Sequence, residues 1–274
     1  MMRSLWTGAT GMTAQQMNVD VISNNLANVN TVGFKRERVE FKSLLYQTMQ
    51  RADLDPANPT GRPVNLQVGL GVRPAATARI FTTGSFQMTE QPLDFAINGD
   101  GFFVVNRSIE PGELELGFTR NGAIKASPMD EGLMLVTSDG MPFLDIDDEP
   151  MFIPPDVNIR DLIVAQNGMV SVMVDGEIED LFQIAMVQFP NVQGLESFGR
   201  NLLLETPASG APMLEADGDV TRPSMLERGV LEMSNVNIAT EMVDLIVAQR
   251  AYELNSRAIT TSDQMLETAN QLKR

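Results

Sequence analysis

Apolar residues recur at helical spacing in the last part of the chain. The stretch from Ile238 to Arg274 contains neither Gly nor Pro, and Asn237 suits the N-cap position because its side chain can accept a hydrogen bond from the first helical turn. We therefore predict one long helix from Ile238 to Arg274. Its main apolar row repeats every seven residues and consists of Ile238, Leu245, Tyr252, Ile259 and Leu266.

The second row of this repeat is small or polar. Its members are Glu241, Ala248, Asn255, Ser262 and Ala269. A two-stranded coiled coil normally carries apolar side chains in both rows, so a seam with one apolar row is weak by itself. Further apolar residues widen the stripe, which favours packing against several neighbours. A long core helix of a monomeric domain is the alternative interpretation.

The first part of the chain has the same pattern. The apolar row consists of Leu5, Met12, Val19 and Leu26, with Ile22 and Val29 on the companion row. Gly33 is the predicted helix stop, because a glycine adopts a positive φ easily. Asn24, Asn25 and Asn28 are unusual in a helix, where Asn competes with the backbone for hydrogen bonds. We interpret them as donors and acceptors of hydrogen bonds between subunits, with an exposed polar face as the alternative.

The middle of the chain reads as β structure. Strands are predicted at Phe95–Ile97, Phe102–Val105, Leu133–Val136, Met169–Val174 and Phe182–Phe189. Seven Asn-Gly or Asp-Gly dipeptides, which are favoured in hairpin turns, begin at residues 98, 100, 121, 139, 167, 175 and 217. Antiparallel hairpins within one domain are therefore expected. Residues 52–80 are rich in Pro and Gly, so we expect extended, irregular or edge-strand structure there.

These patterns define an α+β fold. Long N- and C-terminal helices pair in a coiled-coil-like manner, and a mostly antiparallel β domain lies between them in the sequence. We predict an inner helical domain from 1–33 and 237–274. Residues 34–91 and 206–236 form a connecting segment, and 92–205 form an outer β domain.

Composition narrows the possible functions. The 274 residues include no Cys and no His, so disulfide bonds, thiolate or imidazole metal sites and the common hydrolytic triads are excluded. The net charge of −16 argues against binding to nucleic acid or to anionic lipid surfaces. This charge is concentrated between residues 52 and 227, where nine basic residues face 27 acidic ones. Nearly neutral ends can be crowded together, while an acidic middle stays solvated.

Two motifs resemble ligand-binding sequences, but neither has the full pattern that binding requires. Gly99-Asp100-Gly101 begins like a dinucleotide fingerprint, but the third glycine is missing and a strand follows instead of a helix. The acidic run from Asp145 to Glu149 has Pro150 where a calcium loop needs glycine, so a solvated turn is expected. We predict no enzyme activity, no catalytic residue, no cofactor and no metal. A cell-wall hydrolase is the competing hypothesis from another class.

We expect neither a cleaved leader nor a membrane span. Residues 1–8 carry one positive charge without a following apolar stretch, and the apolar runs elsewhere are short.

Long stretches at both ends resemble a known family, the bacterial flagellar axial proteins, which are the rod and hook subunits. The N-terminal stretch runs from Asn24 to Arg36, and the C-terminal stretches are 234–237, 249–253 and 260–266. Residues 44–48 and 67–74 resemble the distal rod branch of this family most closely. The resemblance weakens between about residues 106 and 160. A proximal rod or hook subunit is the alternative within the family.

The resemblance implies a structural subunit of the distal rod. In that family, copies polymerise into a rigid hollow tube that transmits torque to the hook and carries the export channel. The implied partners are copies of the chain itself, proximal rod proteins, the hook protein, basal-body ring proteins and the flagellar export apparatus. The implied location is the flagellar basal body, in the rod that spans the periplasm. Phe34 and Tyr46, together with Gly33 and the helical residues named above, are the expected subunit-packing residues.

Each end carries an apolar stripe that needs neighbours. We therefore expect the first ~30 and last ~35 residues to be largely disordered in the free monomer and to fold on polymerisation. Amide hydrogen exchange of dilute monomer should show fast exchange at both ends. Uniform protection of both termini would contradict this expectation.

Overall fold

The computed structural model describes residues 2–52, 64–108, 114–129, 132–174, 177–218 and 220–272. Its described residues form two long α-helices and twenty β-strands, which confirms the α+β class. The chain divides into two compact units. Unit 1 comprises residues 1–27, 37–78 and 237–274, and unit 2 comprises residues 28–36 and 79–236.

Unit 1 contains the two long helices and four strands. The helices are α1 (Met2–Ala27) and α2 (Ile238–Gln271), and the strands are β1 (Glu37–Ser43), β2 (Tyr46–Gln50), β3 (Leu66–Gly69) and β4 (Val72–Arg79). The helices run antiparallel, since Ser4 lies beside Ser262 and Asn25 beside Glu241. Strand β1 pairs with β4, and β2 pairs antiparallel with β3. Coiled-coil packing of the two helices stays a prediction.

The predicted start of α2 is confirmed, whereas the predicted end of α1 is not. Asn237 is the N-cap of α2, and its side chain accepts a hydrogen bond from Thr240 N at 3.2 Å, as predicted. The predicted helix stop at Gly33 was wrong, because α1 already ends at Ala27. Residues 28–33 form turns instead. Gly33 does adopt the left-handed conformation, with φ +70°, but it does so inside this connecting turn.

The Pro- and Gly-rich segment lies in unit 1. The predicted extended structure is found at β3 and β4, and Pro74 lies within β4. Each belongs to a two-stranded sheet, so each is an edge strand that tolerates a missing N–H donor. Pro56, Pro59, Pro63 and Gly61 lie outside the described residues.

Unit 2 is built from the remaining strands and three short 3₁₀ turns. The turns are Ile159–Asp161, Val192–Gly194 and Glu215–Asp217. The strands are β5 (Phe86–Met88), β6 (Phe95–Asn98), β7 (Phe102–Asn106), β8 (Leu116–Thr119), β9 (Lys125–Met129), β10 (Gly132–Val136), β11 (Phe152–Ile153), β12 (Leu162–Val164), β13 (Met169–Val174), β14 (Glu177–Gln183), β15 (Met186–Gln188), β16 (Glu196–Gly199), β17 (Leu202–Leu204), β18 (Met213–Leu214), β19 (Met225–Arg228) and β20 (Val230–Glu232).

The sheets of unit 2 are antiparallel. The largest has six strands in the order β16-β17-β8-β7-β15-β18. Two three-stranded sheets have the orders β11-β10-β9 and β12-β13-β14, while β19 pairs with β6 and β20 with β5. The prediction of a mostly antiparallel β middle is confirmed.

Strand β7 is central to the packing of unit 2. Successive side chains of a strand point to opposite faces, so Phe102 and Val104 join one buried apolar cluster while Phe103 and Val105 join another. Buried rings meet edge-to-face within these clusters, for example Phe118 and Phe189 with centroids 4.8 Å apart. A strand buried on both faces explains the continuous apolar run in the sequence.

Only some of the Asn-Gly and Asp-Gly dipeptides lie in the turns that were predicted for them. Asn167-Gly168 joins the paired strands β12 and β13, and Asp139-Gly140 closes a turn in which Gly140 N donates to Thr137 O. The dipeptides at 98–101, 121–122 and 217–218 were wrongly assigned to hairpins, since the strands that flank them pair elsewhere or a 3₁₀ turn precedes them. Asp175-Gly176 lies outside the described residues.

Two further sequence expectations concern local structure. One strand was predicted over Phe182–Phe189, but β14 ends at Gln183 and β15 begins at Met186 in a different sheet. The acidic run is a turn, as predicted, because the Asp145 carboxylate accepts hydrogen bonds from Asp147 N at 2.9 Å and from Glu149 N at 3.1 Å. Among the described residues, neither helix combines the length and apolarity required to cross a membrane.

Candidate assembly surface and buried charge cluster

Small residues lie at the contact between the two helices of unit 1. A Cβ atom added at Gly8 would lie 2.9 Å from Ile259 Cγ1, and one added at Gly11 would lie 2.8 Å from Asn255 Oδ1. Ala14 and Ala248 are almost completely buried. These small residues leave room for the close approach, which a larger side chain at either glycine would prevent.

Polar side chains lie within this helix pair. The Ser4 and Ser262 hydroxyls are 3.1 Å apart, and the Asn255 amide donates to Ala251 O at 3.0 Å. Glu241 is fully buried and accepts a hydrogen bond from Asn25 Nδ2 at 3.1 Å. The contact between the helices therefore includes polar groups from one end to the other.

Asn25 connects three parts of unit 1. Its amide donates to Glu37 O at 2.8 Å and its carbonyl oxygen accepts from Glu37 N at 2.9 Å, as a neighbouring strand would. The same amide reaches Glu241 on α2. Asn25 thus makes its hydrogen bonds within the chain. The wider assignment of the Asn residues to subunit contacts stays a prediction.

The apolar rows of both helices are only partly covered. Leu5, Met12, Val19, Leu26, Leu245, Ile259 and Leu266 are half-buried, and only Ile22 of the predicted apolar set on the helices is buried. Further apolar side chains are exposed along the helices, namely Trp6, Met17, Ile238, Met242, Val243, Ile246, Val247, Tyr252, Leu254, Met265 and Leu272. Exposed apolar side chains in this number are typical of a protein–protein contact surface. We name this surface the outer helix face.

The remaining predicted residues lie in different surroundings. Tyr46 is exposed on β2, and Asn24 is exposed on α1. Asn28, Gly33 and Phe34 belong to unit 2, where Phe34 is buried. The structure brings Val19 and Tyr252 together, since both line an open groove of about 420 Å³ along the helix pair with Gln16, Gln249 and Glu253.

A buried charge cluster organises unit 2. Glu232 Oε1 lies 2.6 Å from Lys35 Nζ, and Glu232 Oε2 lies 3.4 Å from Arg120 Nη1. All three side chains are at most 3% exposed. Lys35 also donates to Thr82 O at 2.9 Å, and Gly84 N donates to Glu232 at 2.9 Å. The carboxylate is therefore compensated by two cations and an amide.

Arg120 has further partners. Its Nη2 donates to Gly99 O at 2.8 Å, and its guanidinium lies 4.9 Å from the ring centroid of Phe102. Burial lowers the pKa of Lys35, and the Glu232 carboxylate opposes that shift. Burial also lowers the pKa of Arg120, again against the attraction of Glu232. Desolvation thus acts against both cations, and Glu232 makes their burial tolerable.

This cluster joins the two chain segments of unit 2 that adjoin the helices. Gly33 N donates to Glu232 O at 2.8 Å, and Arg36 N donates to Asn235 Oδ1 at 2.7 Å. Asn235 also donates to Ile80 O at 2.8 Å. At Gly33 a Cβ atom would lie 2.8 Å from the Arg120 carbonyl carbon. The residues after α1 and before α2 are therefore fixed to each other.

Sequence reasoning missed this cluster. Lys35, Arg120 and Glu232 are far apart in the sequence, and Lys35 begins a run of four charged residues that does not set it apart from its neighbours. The available signal was an isolated charged residue within a short apolar run, as at Glu232 between Leu231 and Met233. In the part of the chain that the structure describes, no group of three or more Asp or Glu side chains is arranged to hold a metal ion.

Removal of Lys35 tests the cluster. Lys35→Met leaves Glu232 buried with Arg120 as its one remaining cation, so we expect the free energy of unfolding to fall by about 3–5 kcal/mol. Denaturant unfolding of the monomer, followed by circular dichroism, measures this change. Lys42→Met is the matched control, because Lys42 is exposed and its loss should change stability by less than about 0.5 kcal/mol. Equal effects of the two variants would contradict the assignment.

Three family models match the sequence in succession. The model described as "Flagella basal body rod protein" matches residues 5–35. The model "Flagellar hook protein FlgE/F/G D1 domain" matches residues 96–172, and "Flagellar basal body rod FlgEFG protein C-terminal" matches residues 227–272. The matches at the two ends include α1 and α2, and the middle match lies in unit 2.

Relatives of the same name match over the full length. The flagellar basal-body rod protein FlgG of Borreliella burgdorferi is 47% identical over 277 residues, which cover 100% of both chains. The FlgG protein of Caulobacter vibrioides is 42% identical over 99% of this chain and 100% of its own. That of Bacillus subtilis is 38% identical, with 100% of both chains covered. The chain therefore belongs to the family of the flagellar basal-body rod protein FlgG.

Proposed function

We propose that this chain is a structural subunit of the flagellar distal rod. Copies polymerise head-to-tail into a rigid, hollow helical tube that transmits motor torque to the hook and carries the export channel. The outer helix face is the observation that supports this proposal most strongly. It is apolar, it extends along both helices, and the chain's own described residues leave it largely exposed.

The nature of the helix pair supports a polymer over a closed dimer. Gly8 and Gly11 lie at the contact between the two helices, and most apolar residues of both helices stay half-buried or exposed. Additional helices must cover the apolar rows before unit 1 reaches the burial of an ordinary core. A contact between unlike surfaces that does not close on itself produces an open helical filament.

The predicted subunit-packing residues take roles within this proposal. Leu5, Met12, Val19, Leu26, Ile238, Leu245, Tyr252, Ile259 and Leu266 contribute apolar area to neighbouring copies. Asn24 and Asn28 contribute hydrogen bonds between copies, and Tyr46 packs against an adjacent subunit. Asn25, Ile22, Gly33 and Phe34 are buried or constrained within the chain, so they act by holding the contact residues in place.

The arrangement in the rod follows from the same proposal. The inner domain (1–33 and 237–274) surrounds the channel, the connecting segment (34–91 and 206–236) packs between subunits, and the outer domain (92–205) faces outward. Partners are further copies, proximal rod proteins, the hook protein, the ring proteins and the export apparatus. The rod spans the periplasm as part of the basal body.

Electron microscopy of basal bodies tests the function. A strain that lacks this protein should make truncated rods without hooks and should not swim, and the full-length gene supplied in trans should restore both. Intact rods that carry hooks in the deletion strain would contradict the proposal.

Charged substitutions in the apolar row test the packing residues. Leu245→Asp and Ile259→Asp should each block polymerisation and swimming while unit 2 stays folded, because a charge buried in a packed seam costs several kcal/mol. Sedimentation of purified protein measures polymer, and near-ultraviolet circular dichroism reports the aromatic packing of unit 2. Thr261→Asp is the control, since Thr261 is exposed on the same helix. Normal rods in the Ile259 or Leu245 variant would refute their assignment.

A further inference from the structure

Strand β16 forms one edge of the six-stranded sheet of unit 2, and all four of its residues are exposed. Its outer side has no strand partner among the described residues. An exposed edge offers backbone donors and acceptors to another chain, which proteins usually prevent by covering or charging the edge. This edge is therefore available for a contact.

Arginine and aromatic side chains gather at this edge. Arg79 Nη2 donates to Ser197 Oγ at 2.9 Å, and the Arg107 guanidinium lies 4.6 Å from the ring centroid of Phe198. Phe198 is 54% exposed, and Arg200 follows at the end of the strand. We name Arg79, Arg107, Phe198 and Arg200 the sheet-edge patch. Arginine and aromatic residues of this kind dominate the binding energy of protein interfaces.

The position of Arg200 is fixed by a strained turn. Gly199 pairs with Leu202, so Arg200 and Asn201 form a two-residue hairpin loop, and both have positive φ, of 52° and 60°. Such loops favour Asn, Asp or Gly, and an arginine in the first position is unusual. Asn201 Nδ2 donates to Val32 O, and Thr119 Oγ1 donates to Asn201 O, both at 3.0 Å. These bonds hold the loop in place.

The positive charge of Arg200 is not paired within the described part of the chain. Its guanidinium has no hydrogen bond or ion pair there, whereas Arg107 pairs with Glu115 at 2.6 Å. The arginines of the patch also differ in the sign of their charge from most charged residues around them in the sequence. Three of the nine basic residues between 52 and 227 belong to it, and 27 acidic residues occupy the same region.

We propose that the sheet-edge patch binds the carboxylate-bearing surface of unit 2 in a neighbouring copy of this chain. A second copy is the occupant because the same unit supplies both signs of charge, so one heterologous contact can repeat along a polymer. The two-residue loop fixes the backbone of Arg200 before contact, which limits the backbone ordering that binding requires. This inference rests on the proposed function, and it adds a contact outside the helices.

Polymerisation of purified full-length protein tests this contact. We expect Arg200→Glu to raise the critical concentration for polymer formation at least about tenfold. The matched control is Arg160→Glu, which makes the same charge change at an exposed residue of the same unit and should shift it less than about twofold. Raising the salt concentration should weaken the wild-type polymer more than the Arg200→Glu polymer.

A second variant separates contact from folding. Arg200→Gly removes the side chain and suits the positive φ, so its thermal unfolding midpoint should be no lower than that of wild type, while its critical concentration still rises. The sheet-edge contact would be overturned if the wild type polymerises and neither Arg200→Glu nor Arg200→Gly changes the critical concentration. That result would leave the proposed function intact. An equal effect of Arg160→Glu would also overturn it. Failure of the wild type to form helical polymers would overturn the proposed function and this inference together.

Discussion

The close approach of α1 and α2 is the constraint on which the rest of unit 1 depends. Gly8 and Gly11 lie against the side chains of Ile259 and Asn255, which an added Cβ would have to displace. Glu241 and Ala248 of the small and polar row are buried, whereas Ile238 and Tyr252 of the apolar row stay exposed. An apolar row without a matching apolar row on the partner helix forms a weak two-helix seam.

The charge cluster of unit 2 has a complementary role. Glu232 bonds to Lys35 and Arg120, and Asn235 bonds to Arg36 and Ile80, so the residues after α1 and before α2 belong to one hydrogen-bonded structure. Buried ion pairs add little net stability, but they tolerate few alternative arrangements. The cluster thus holds these two segments in a defined geometry.

The sequence predicts elements whose signals are local. The helix beginning at Ile238, its cap at Asn237 and the strand at Phe102 depend on periodicity or on one side chain near its own backbone, and all three are found. Pairing partners were less predictable, as the Asn98-Gly99 and Asn121-Gly122 turns show, because a turn dipeptide does not determine which strands pair. Lys35, Arg120 and Glu232 meet only after the sheets have formed. The heptad rows predict an apolar stripe but do not identify the neighbour that covers it.

Unit 1 is assembled from segments at opposite ends of the sequence, with unit 2 between them. During synthesis α1 emerges first and α2 last, so the partner of Asn25, Glu241, becomes available only when nearly the whole chain has been made. Contacts of such long sequence separation form late in folding. A partly made chain therefore lacks the segment that completes unit 1, and the two helices can pair only after unit 2 has been synthesised.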